Sequence, residues 1–231
     1  EYALTDASGL VPCRPDLAEV DAAGQLVNPL TAIAMFDLVK DSGAESFVLN
    51  AAGSQLGKLL IALGRDQGIK PIAVVRRAEQ ADALKALGAA KVIVSSDDAA
   101  MAQAKTIFAD LKPRILLDAV GDQFTADLFF AMPSHARWVN YGKLSMDAPA
   151  LTQLGQLIFQ DKHIEGFWLT RWMKQVDQAR IPAAFMEIQE RFVSGPWGTD
   201  VAGIVPLSQA MEKLPDVLAR RDGKAFIDPR G

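Results

Sequence analysis

The sequence contains very few of the residues that form disulfides or zinc sites. Its 231 residues include one cysteine, Cys13, and two histidines, His135 and His163. A single cysteine cannot form an internal disulfide, and these three residues do not have the spacing of a zinc site. We therefore expect a reducing compartment and a protein without a metal.

An excess of positive charge and a long apolar run are lacking as well. The 24 Lys and Arg residues are outnumbered by 28 Asp and Glu residues, and no basic run is interleaved with aromatic residues, so a nucleic-acid partner is not expected. No apolar run approaches the length of a membrane span. Residues 1–6 also lack the basic start and apolar stretch of a secretion signal, and these absences predict a cytoplasmic protein.

From Glu45 onward, short β-rich runs alternate with longer amphipathic stretches. Runs bounded by Gly, Pro, Asp or Asn predict six strands, at Ser46–Asn50, Pro71–Val75, Lys91–Val94, Arg114–Asp118, Arg137–Tyr141 and Ile164–Trp168. Apolar residues at intervals of three and four predict helices, at Leu56–Gln67, Glu79–Leu87 with Gly88 as its C-cap, Ala99–Asp110, Gln123–Ala131 and Leu151–Asp161. Strands joined by helical crossovers predict an α/β fold, a doubly wound six-stranded parallel Rossmann sheet.

The two ends of the chain do not follow this alternation. The stretch Glu1–Val27 predicts one strand, a turn at Ser8 and Gly9 and a proline-bearing loop, which is too little to bury a face of its own. Near the other end, a strand, a helix and a second strand are predicted at Ala202–Pro206, Ser208–Arg221 and Lys224–Ile227. We interpret both ends as parts of a domain other than the Rossmann sheet.

The segment from Asn50 to Gly57 joins a predicted strand to a predicted helix, where the pyrophosphate of a dinucleotide would meet free helix N–H groups. Laid on the Gly-x-Gly-x-x-Gly fingerprint, it keeps only the last glycine, with Ala52 and Ser54 at the first two positions. Gly57 would let the helix approach the strand, and the Ser54 hydroxyl could donate to a phosphate. The same segment also fits a tight turn without a ligand.

Two basic residues follow the second predicted strand. Arg76 and Arg77 lie about 20 residues beyond the turn, where an NAD-binding domain usually has an acidic residue for the ribose hydroxyls. A guanidinium matches a phosphate in geometry and charge, whereas an acid would repel it, so this position favours NADPH over NADH. The alternative is a pair of solvated arginines at the end of a strand.

Three stretches, Asn28–Ala32, Asn50–Gly57 and Leu157–Asp161 leading into Gly166–Trp172, resemble a known family. The resemblance runs over nearly the whole chain and is to the zinc-independent medium-chain dehydrogenases/reductases, in particular the trans-2-enoyl-thioester (enoyl-CoA/ACP) reductases and their quinone oxidoreductase relatives. It implies that residues 1–27 are a remnant of an N-terminal, GroES-like catalytic domain that is mostly missing. Residues 28–168 would be the NADP(H)-binding Rossmann domain, and residues 169–231 a segment that returns to the catalytic domain.

The resemblance also implies a set of NADPH-binding residues. These are Asn28 at the crevice, Ser54, Gln55, Leu56 and Gly57 at the pyrophosphate, Arg76 and Arg77 at the 2′-phosphate, Tyr141, Gly142, Lys143 and Leu144 near the nicotinamide, Phe167, Trp168 and Leu169 at its carboxamide and ring, and Lys224 near the last strand. Some have plainer interpretations. Asn28 before Pro29 is an ordinary N-cap pair, the two lysines could simply be exposed, and Phe167–Leu169 could be the end of a core strand.

No catalytic residue is predicted. In the family that the chain resembles, a tyrosine acid near the start of the catalytic domain protonates the substrate. That stretch would precede Glu1, Tyr2 lies too late, and Tyr141 matches a cofactor position. The chain by itself is therefore expected to be inactive.

The function predicted for the whole enzyme is hydride transfer from NADPH to an activated alkene, above all a 2-enoyl thioester. The alternatives are quinone reduction, a nucleotide-binding module without turnover, and a role in assembly. A homodimer is expected, because members of the superfamily commonly pair through the edge of the cofactor-domain sheet. The apolar stretch Leu151–Phe159, Trp168 and Trp172 could contribute to that contact or belong to the core.

Overall fold

The computed structural model describes residues 4–6, 9–220 and 223–230. The chain divides into two compact units. One is formed by Glu1–Leu30 with Asp177–Gly231, and the other by Thr31–Val176. The boundary near Leu30 falls inside helix α2 (Val27–Asp41).

The unit Thr31–Val176 contains one parallel sheet of six strands. The strands are β1 (Ser46–Leu49), β2 (Lys70–Val75), β3 (Lys91–Val94), β4 (Ile115–Asp118), β5 (Arg137–Asn140) and β6 (His163–Gly166). Their order is β3-β2-β1-β4-β5-β6, and every neighbouring pair is parallel. This is a doubly wound Rossmann sheet whose order reverses between β1 and β4. The predicted fold class is confirmed, and the strands end within two residues of their predicted limits.

The central strands are buried throughout because helices cover both faces of a parallel sheet. All four residues of β1 are buried, and so are all four of β4. The helices of this unit after α2 are α3 (Gln55–Asp66), α4 (Ala81–Leu87), α5 (Ala100–Leu111), α6 (Gln123–Ala131), α7 (Gly155–Phe159) and α8 (Leu169–Gln175). Gly88 ends α4 as predicted, with φ of 126° and an N–H that donates to the carbonyls of Leu84 and Lys85.

The helix predicted over Leu151–Asp161 is shorter in the structure, where only Gly155–Phe159 is helical. Its apolar side chains are largely exposed, among them Leu151, Leu154, Ile158 and Phe159. A short helix in water gains most of its stability from burying an apolar face. Without such burial, the periodicity in this segment produces only five helical residues.

The other unit contains the β-α-β element predicted near the end of the chain. Strands β7 (Val201–Pro206) and β8 (Lys224–Asp228) pair in parallel, and α10 (Ala210–Ala219) connects them after a 3-10 turn. The strand predicted in residues 1–27 is wrong for the part that the structure describes, residues 4–6 and 9–27, which instead contains helix α1 (Glu19–Gly24). Ser8 of the predicted turn and Arg221 of the predicted helix lie outside the described residues.

An unpredicted helix, α9 (Arg180–Val193), fastens this N-terminal segment. The buried amide of Gln189 accepts from the N–H of Arg14 at 2.9 Å and donates to the carbonyl of Pro12 at 2.9 Å and to Gln25 at 3.0 Å. These bonds use the backbone groups that a strand would pair with a neighbour. The segment therefore follows α9 and forms no strand.

A buried lysine anchors the start of β6. The amine of Lys162, 2% exposed, donates to the carbonyls of Phe129 and Phe130 at 3.1 Å each and to the side chain of Gln156 at 2.6 Å. These carbonyls lie in the last turn of α6, where helix carbonyls lack intrahelical partners. Burial lowers the pKa of Lys162 from 10.5 to about 8.

The lowered pKa predicts a pH dependence of stability. Since the folded state binds the proton of Lys162 less tightly than the unfolded state, this group stabilises the fold above pH 10.5, and the contribution is lost as the pH falls through about 8. The free energy of unfolding of the wild type should therefore rise between these pH values relative to Lys162→Met, which does not titrate. Urea unfolding of both proteins across this range tests the prediction, and a constant difference would contradict it.

Candidate functional site

The carboxyl ends of the six parallel strands bring most of the predicted site residues to one edge of the sheet. The turn with Ser54–Gly57 follows β1, Arg76 and Arg77 follow β2, Tyr141–Leu144 follow β5, and Phe167–Leu169 follow β6. In doubly wound folds, ligands bind at this edge, where the strand order reverses. Asn28 and Lys224 belong to the other unit, so the sheet does not gather them with the rest.

The turn after β1 is tight because Gly57 has no side chain. A Cβ at Gly57 would lie 2.5 Å from the carbonyl oxygen of Ala52 and 2.7 Å from its Cα. Ser54 caps α3, and its hydroxyl accepts from the N–H of Gly57 at 3.1 Å. Ala51 has φ of 47°, in the left-handed region that favours glycine. Gly57 thus serves close approach, and the Ser54 hydroxyl keeps its hydrogen for another acceptor.

The side chain of Gln80 lies over this turn and was not singled out in the sequence. A Cβ at Gly53 would meet its amide nitrogen at 2.4 Å and its amide oxygen at 2.8 Å. Gln80 ends the 3-10 turn that follows β2. A polar side chain in this place brings a donor and an acceptor beside the first residues of α3.

Arg76 and Arg77 are both exposed at the end of β2. The carbonyl of Arg76 accepts from the hydroxyl of Ser96 at 2.9 Å, which ties its backbone to the end of β3. The Nε atom of Arg77 lies 3.9 Å from the Oε2 atom of Glu79, within ion-pair distance. Within the residues that the structure describes, the Arg76 guanidinium forms no ion pair, so its charge is open to an anion.

The loop after β5 runs beside the loop after β4. The N–H groups of Tyr141, Leu144 and Ser145 donate to the carbonyls of Asp118, Ala119 and Val120 at 2.8, 3.0 and 2.9 Å. A Cβ at Gly142 would lie 3.0 Å from the Ala119 carbonyl oxygen, which is closer than side chains usually allow. Lys143 and Leu144 are exposed. The two loops therefore form one continuous backbone surface.

The hydroxyl of Tyr141 is buried and has no hydrogen-bond partner in the described part of the chain. Burial raises the pKa of Tyr141 well above its ordinary value, and the charge of Asp118 raises it further. The hydroxyl therefore stays protonated. A buried donor without an acceptor is costly, so this atom fits a site that a polar ligand group completes.

A buried polar network that sequence reasoning missed underlies this edge. It consists of Asn50, Asp118, Thr125, Trp138 and Asn140, joined by side-chain hydrogen bonds of 2.5 to 3.0 Å. The signal available in the sequence was the polar residue that ends each of β4 and β5 and the one that directly follows β1. Such residues read individually as strand terminators, and only the parallel sheet brings them together.

The remaining predicted residues lie as follows. β6 ends at Gly166, two residues before the predicted limit, and Trp168 is 64% exposed at the start of α8, so it is not a core strand end. Phe167 donates its N–H to the Asn140 carbonyl at 2.8 Å. Asn28 lies inside the first turn of α2 and is not its N-cap, because the helix already begins at Val27. Lys224 is the half-buried first residue of β8.

In the described residues, no three His, Cys, Asp or Glu side chains are grouped so that they could hold a metal ion. None of the helices in the same part of the chain is both long and apolar enough to span a membrane. A hollow of about 250 Å³ is lined by Gln153, Gly155, Gln156, Phe159 and Gln160, none of which is ionisable.

Residues 56–189 match the family model described as zinc-binding dehydrogenase, a stretch of more than half of the chain. The chain belongs to this family. Rat mitochondrial enoyl-[acyl-carrier-protein] reductase is 32% identical to this chain over 178 residues. The matched residues cover 74% of the chain and 47% of the rat protein. The human enzyme of the same name is 27% identical over 218 residues, covering 92% of the chain and 58% of the human protein.

A crystal structure from Mesorhizobium loti, of a protein provisionally named NADPH:quinone reductase, is 44% identical, with a TM-score of 0.89, and covers 97% of this chain and 64% of that one. The chain spans about half the length of the curated relatives just described. It is a member of the medium-chain dehydrogenases/reductases within the zinc-binding dehydrogenase family and resembles enoyl reductases and quinone reductases. The family predicted from the sequence is confirmed.

Proposed function

We propose that the chain binds NADPH at the carboxyl edge of its six-stranded sheet and belongs to a reductase that acts without zinc on activated alkenes, above all 2-enoyl thioesters. The observation that carries the proposal is the exposed Arg76 guanidinium, which forms no ion pair in the described chain and follows β2 beside the turn of Gly57. A guanidinium fork matches the 2′-phosphate that distinguishes NADPH from NADH.

Each group of residues has a part in holding the nucleotide. Arg76 and Arg77 would bind the 2′-phosphate. The first turn of α3, with Ser54, Gln55, Leu56 and Gly57, would present its positive end to the pyrophosphate. Tyr141–Leu144 and Phe167–Leu169 would border the nicotinamide, with the Tyr141 hydroxyl as a neutral donor. Asn28 and Lys224, in the other unit, stay predictions for the same cofactor.

The bound cofactor would supply the hydride, and the protein would supply orientation and exclude water. In the described residues, we assign no general acid. Enoyl thioesters are the first choice of substrate because the curated relatives at up to 32% identity carry that name. Quinones are the second candidate because the Mesorhizobium loti relative, at 44% identity, is named for them. A nucleotide-binding module without turnover is the third.

Calorimetric titration of the chain with NADPH and with NADH tests the cofactor proposal. We expect NADPH to bind and NADH to bind more weakly by at least about tenfold, the worth of one charged hydrogen bond. Equal or tighter binding of NADH would overturn it. Steady-state turnover of crotonyl-CoA and of a benzoquinone by a full-length version of the protein then separates the three functions. The cytoplasmic location stays a prediction, and the rat relative is named as mitochondrial.

A second copy of the chain is the proposed partner, through the free edge of β6. This strand is the last of the sheet; Ile164 within it is 39% exposed and Trp168 after it is 64% exposed. An open strand edge flanked by apolar side chains pairs readily with another chain. The exposed residues of the preceding segment, Leu154, Ile158 and Phe159, would extend the contact.

Ile164→Asp is therefore expected to weaken self-association by about tenfold or more, because it buries an unpaired charge at the contact. Met211→Asp is the matched control, since Met211 is 95% exposed on α10, in the other unit. Sedimentation velocity over a range of concentrations measures both variants. A wild type that stays monomeric, or equal behaviour of both variants, would contradict the proposed dimer.

A further inference from the structure

A carboxylate with no exposed surface lies where the strand order of the sheet reverses. Asp118 is the last residue of β4 and is 0% exposed. Its Oδ1 accepts from the side chain of Asn50 and from the N–H groups of Val120 and Gly121, at 2.5, 2.8 and 2.9 Å. Its Oδ2 accepts from the indole of Trp138 at 2.7 Å and from the amide of Asn140 at 2.8 Å.

In the described residues, only neutral groups donate hydrogen bonds to the Asp118 carboxylate. In the described residues, no Lys, Arg or His forms an ion pair with Asp118, although buried carboxylates usually have such a partner. Five N–H donors satisfy both oxygens instead. Because a carboxylate accepts from several directions at once, it can join backbone segments that no single amide could reach.

The donors come from three places in the sheet: the residue after β1, the loop after β4, and β5 itself. Asn50 begins the turn that carries Gly57, and its own oxygen accepts from the N–H of Ala119 at 2.8 Å. The amide of Asn140 donates at the same time to the Gly142 carbonyl at 3.0 Å, in the loop after β5. Asp118 is thus the common acceptor between the turn after β1 and the loop of Tyr141–Leu144.

We propose that Asp118 is a positioning residue for the nicotinamide nucleotide. It holds the phosphate-binding turn and the nicotinamide-side loop at a fixed distance, so that one extended ligand contacts both. This inference rests on the proposed binding of NADPH. A ligand that spans two segments binds tightly only if their spacing is set before it arrives.

The affinities for two nucleotides distinguish a positioning role of Asp118 from a role in stability alone. NADPH spans both segments, whereas 2′,5′-ADP carries only the adenosine half with the 2′-phosphate and needs only the turn and the arginines. In Asp118→Ala, affinity for NADPH should fall by about tenfold or more, the loss expected when a charged hydrogen-bond acceptor is removed. Affinity for 2′,5′-ADP should fall much less, because this ligand does not depend on the spacing between the two segments.

Two further variants keep the test decisive if Asp118→Ala does not fold. Asp118→Asn keeps an oxygen for the three donors at Oδ1 but places an amide against Trp138 and Asn140. Asn140→Ala removes the link to Gly142 and leaves Asp118 in place. Both should lose NADPH affinity selectively. Ser46→Ala is the matched control, because the buried Ser46 bonds to the Leu111 carbonyl at the amino end of β1 and touches neither loop.

Calorimetry with both nucleotides measures every variant, and thermal unfolding confirms that each is folded. Selective loss of NADPH affinity in the Asp118 and Asn140 variants, with Ser46→Ala unchanged, supports the inference. If the wild type binds both nucleotides and the variants lose affinity for both equally, or for neither, the positioning role of Asp118 is overturned and the proposed function still stands. A wild type that binds neither nucleotide overturns the proposed function itself.

Discussion

Replacing Arg76 by alanine is expected to remove the preference for NADPH over NADH. A hydrogen bond between charged groups contributes about 1.5–3 kcal/mol, which corresponds to about ten- to a hundredfold in the dissociation constant of NADPH. NADH has no 2′-phosphate, so its affinity should stay within about twofold. The guanidinium of Arg76 is the better candidate of the two arginines, because Arg77 already lies 3.9 Å from Glu79.

The matched control for this charge removal is Arg114→Ala. Arg114 is also exposed but precedes β4, at the amino edge of the sheet. The Arg114→Ala variant loses the same formal charge as Arg76→Ala and should leave the affinities for both nucleotides unchanged. Isothermal titration with NADPH and NADH at one salt concentration measures all three proteins. If both arginine variants weakened NADPH equally, a general charge effect would explain the result and the role of Arg76 would be wrong.

Replacing Gly57 by alanine is expected to destabilise the unit and to disrupt nucleotide binding. The new methyl group would lie 2.5 Å from the carbonyl oxygen of Ala52 and 2.7 Å from its Cα. These are backbone atoms in a turn, so α3 must shift relative to the end of β1. Overpacking of this kind costs about 1–3 kcal/mol and sometimes more, and we expect the upper end of this range.

The control for the second variant is Gly155→Ala. At Gly155 the nearest atom to an added Cβ is a ring carbon of Phe159 at 3.7 Å, an ordinary contact. The free energy of unfolding of Gly155→Ala should differ from that of the wild type by no more than about 0.5 kcal/mol. Urea unfolding gives both stabilities, and titration of the folded Gly57→Ala protein gives its NADPH affinity. Full stability in Gly57→Ala would show that the turn is looser than the structure indicates.

The features that sequence reasoning predicted correctly depend on short stretches of chain. The strands were found because fully buried parallel strands are short and largely apolar runs, as in β1 and β4. The C-cap at Gly88 followed from the freedom of glycine at positive φ. Family membership was found in the same way, from local motifs around Gly57 and Phe167.

The wrong predictions concern segments whose structure depends on distant partners. The predicted helix Leu151–Asp161 has the right periodicity, but most of its apolar side chains are exposed in the structure, and only Gly155–Phe159 is helical. The predicted N-terminal strand is replaced by bonds to Gln189, 175 residues after Arg14. A pattern of apolar residues specifies which face could be buried, and it does not specify what buries it.

The sequence by itself determined the α/β class, the tight turn at Gly57 and the two arginines that follow β2, because each depends on residues adjacent in the chain. Only the tertiary structure decided that Asn50, Asp118 and Asn140 share one buried network and that the Tyr141 hydroxyl is buried beside it. Asn50 and Asp118 are 68 residues apart in the chain. Contacts over such separations arise from the packing of parallel strands, which sets distances that no local pattern encodes.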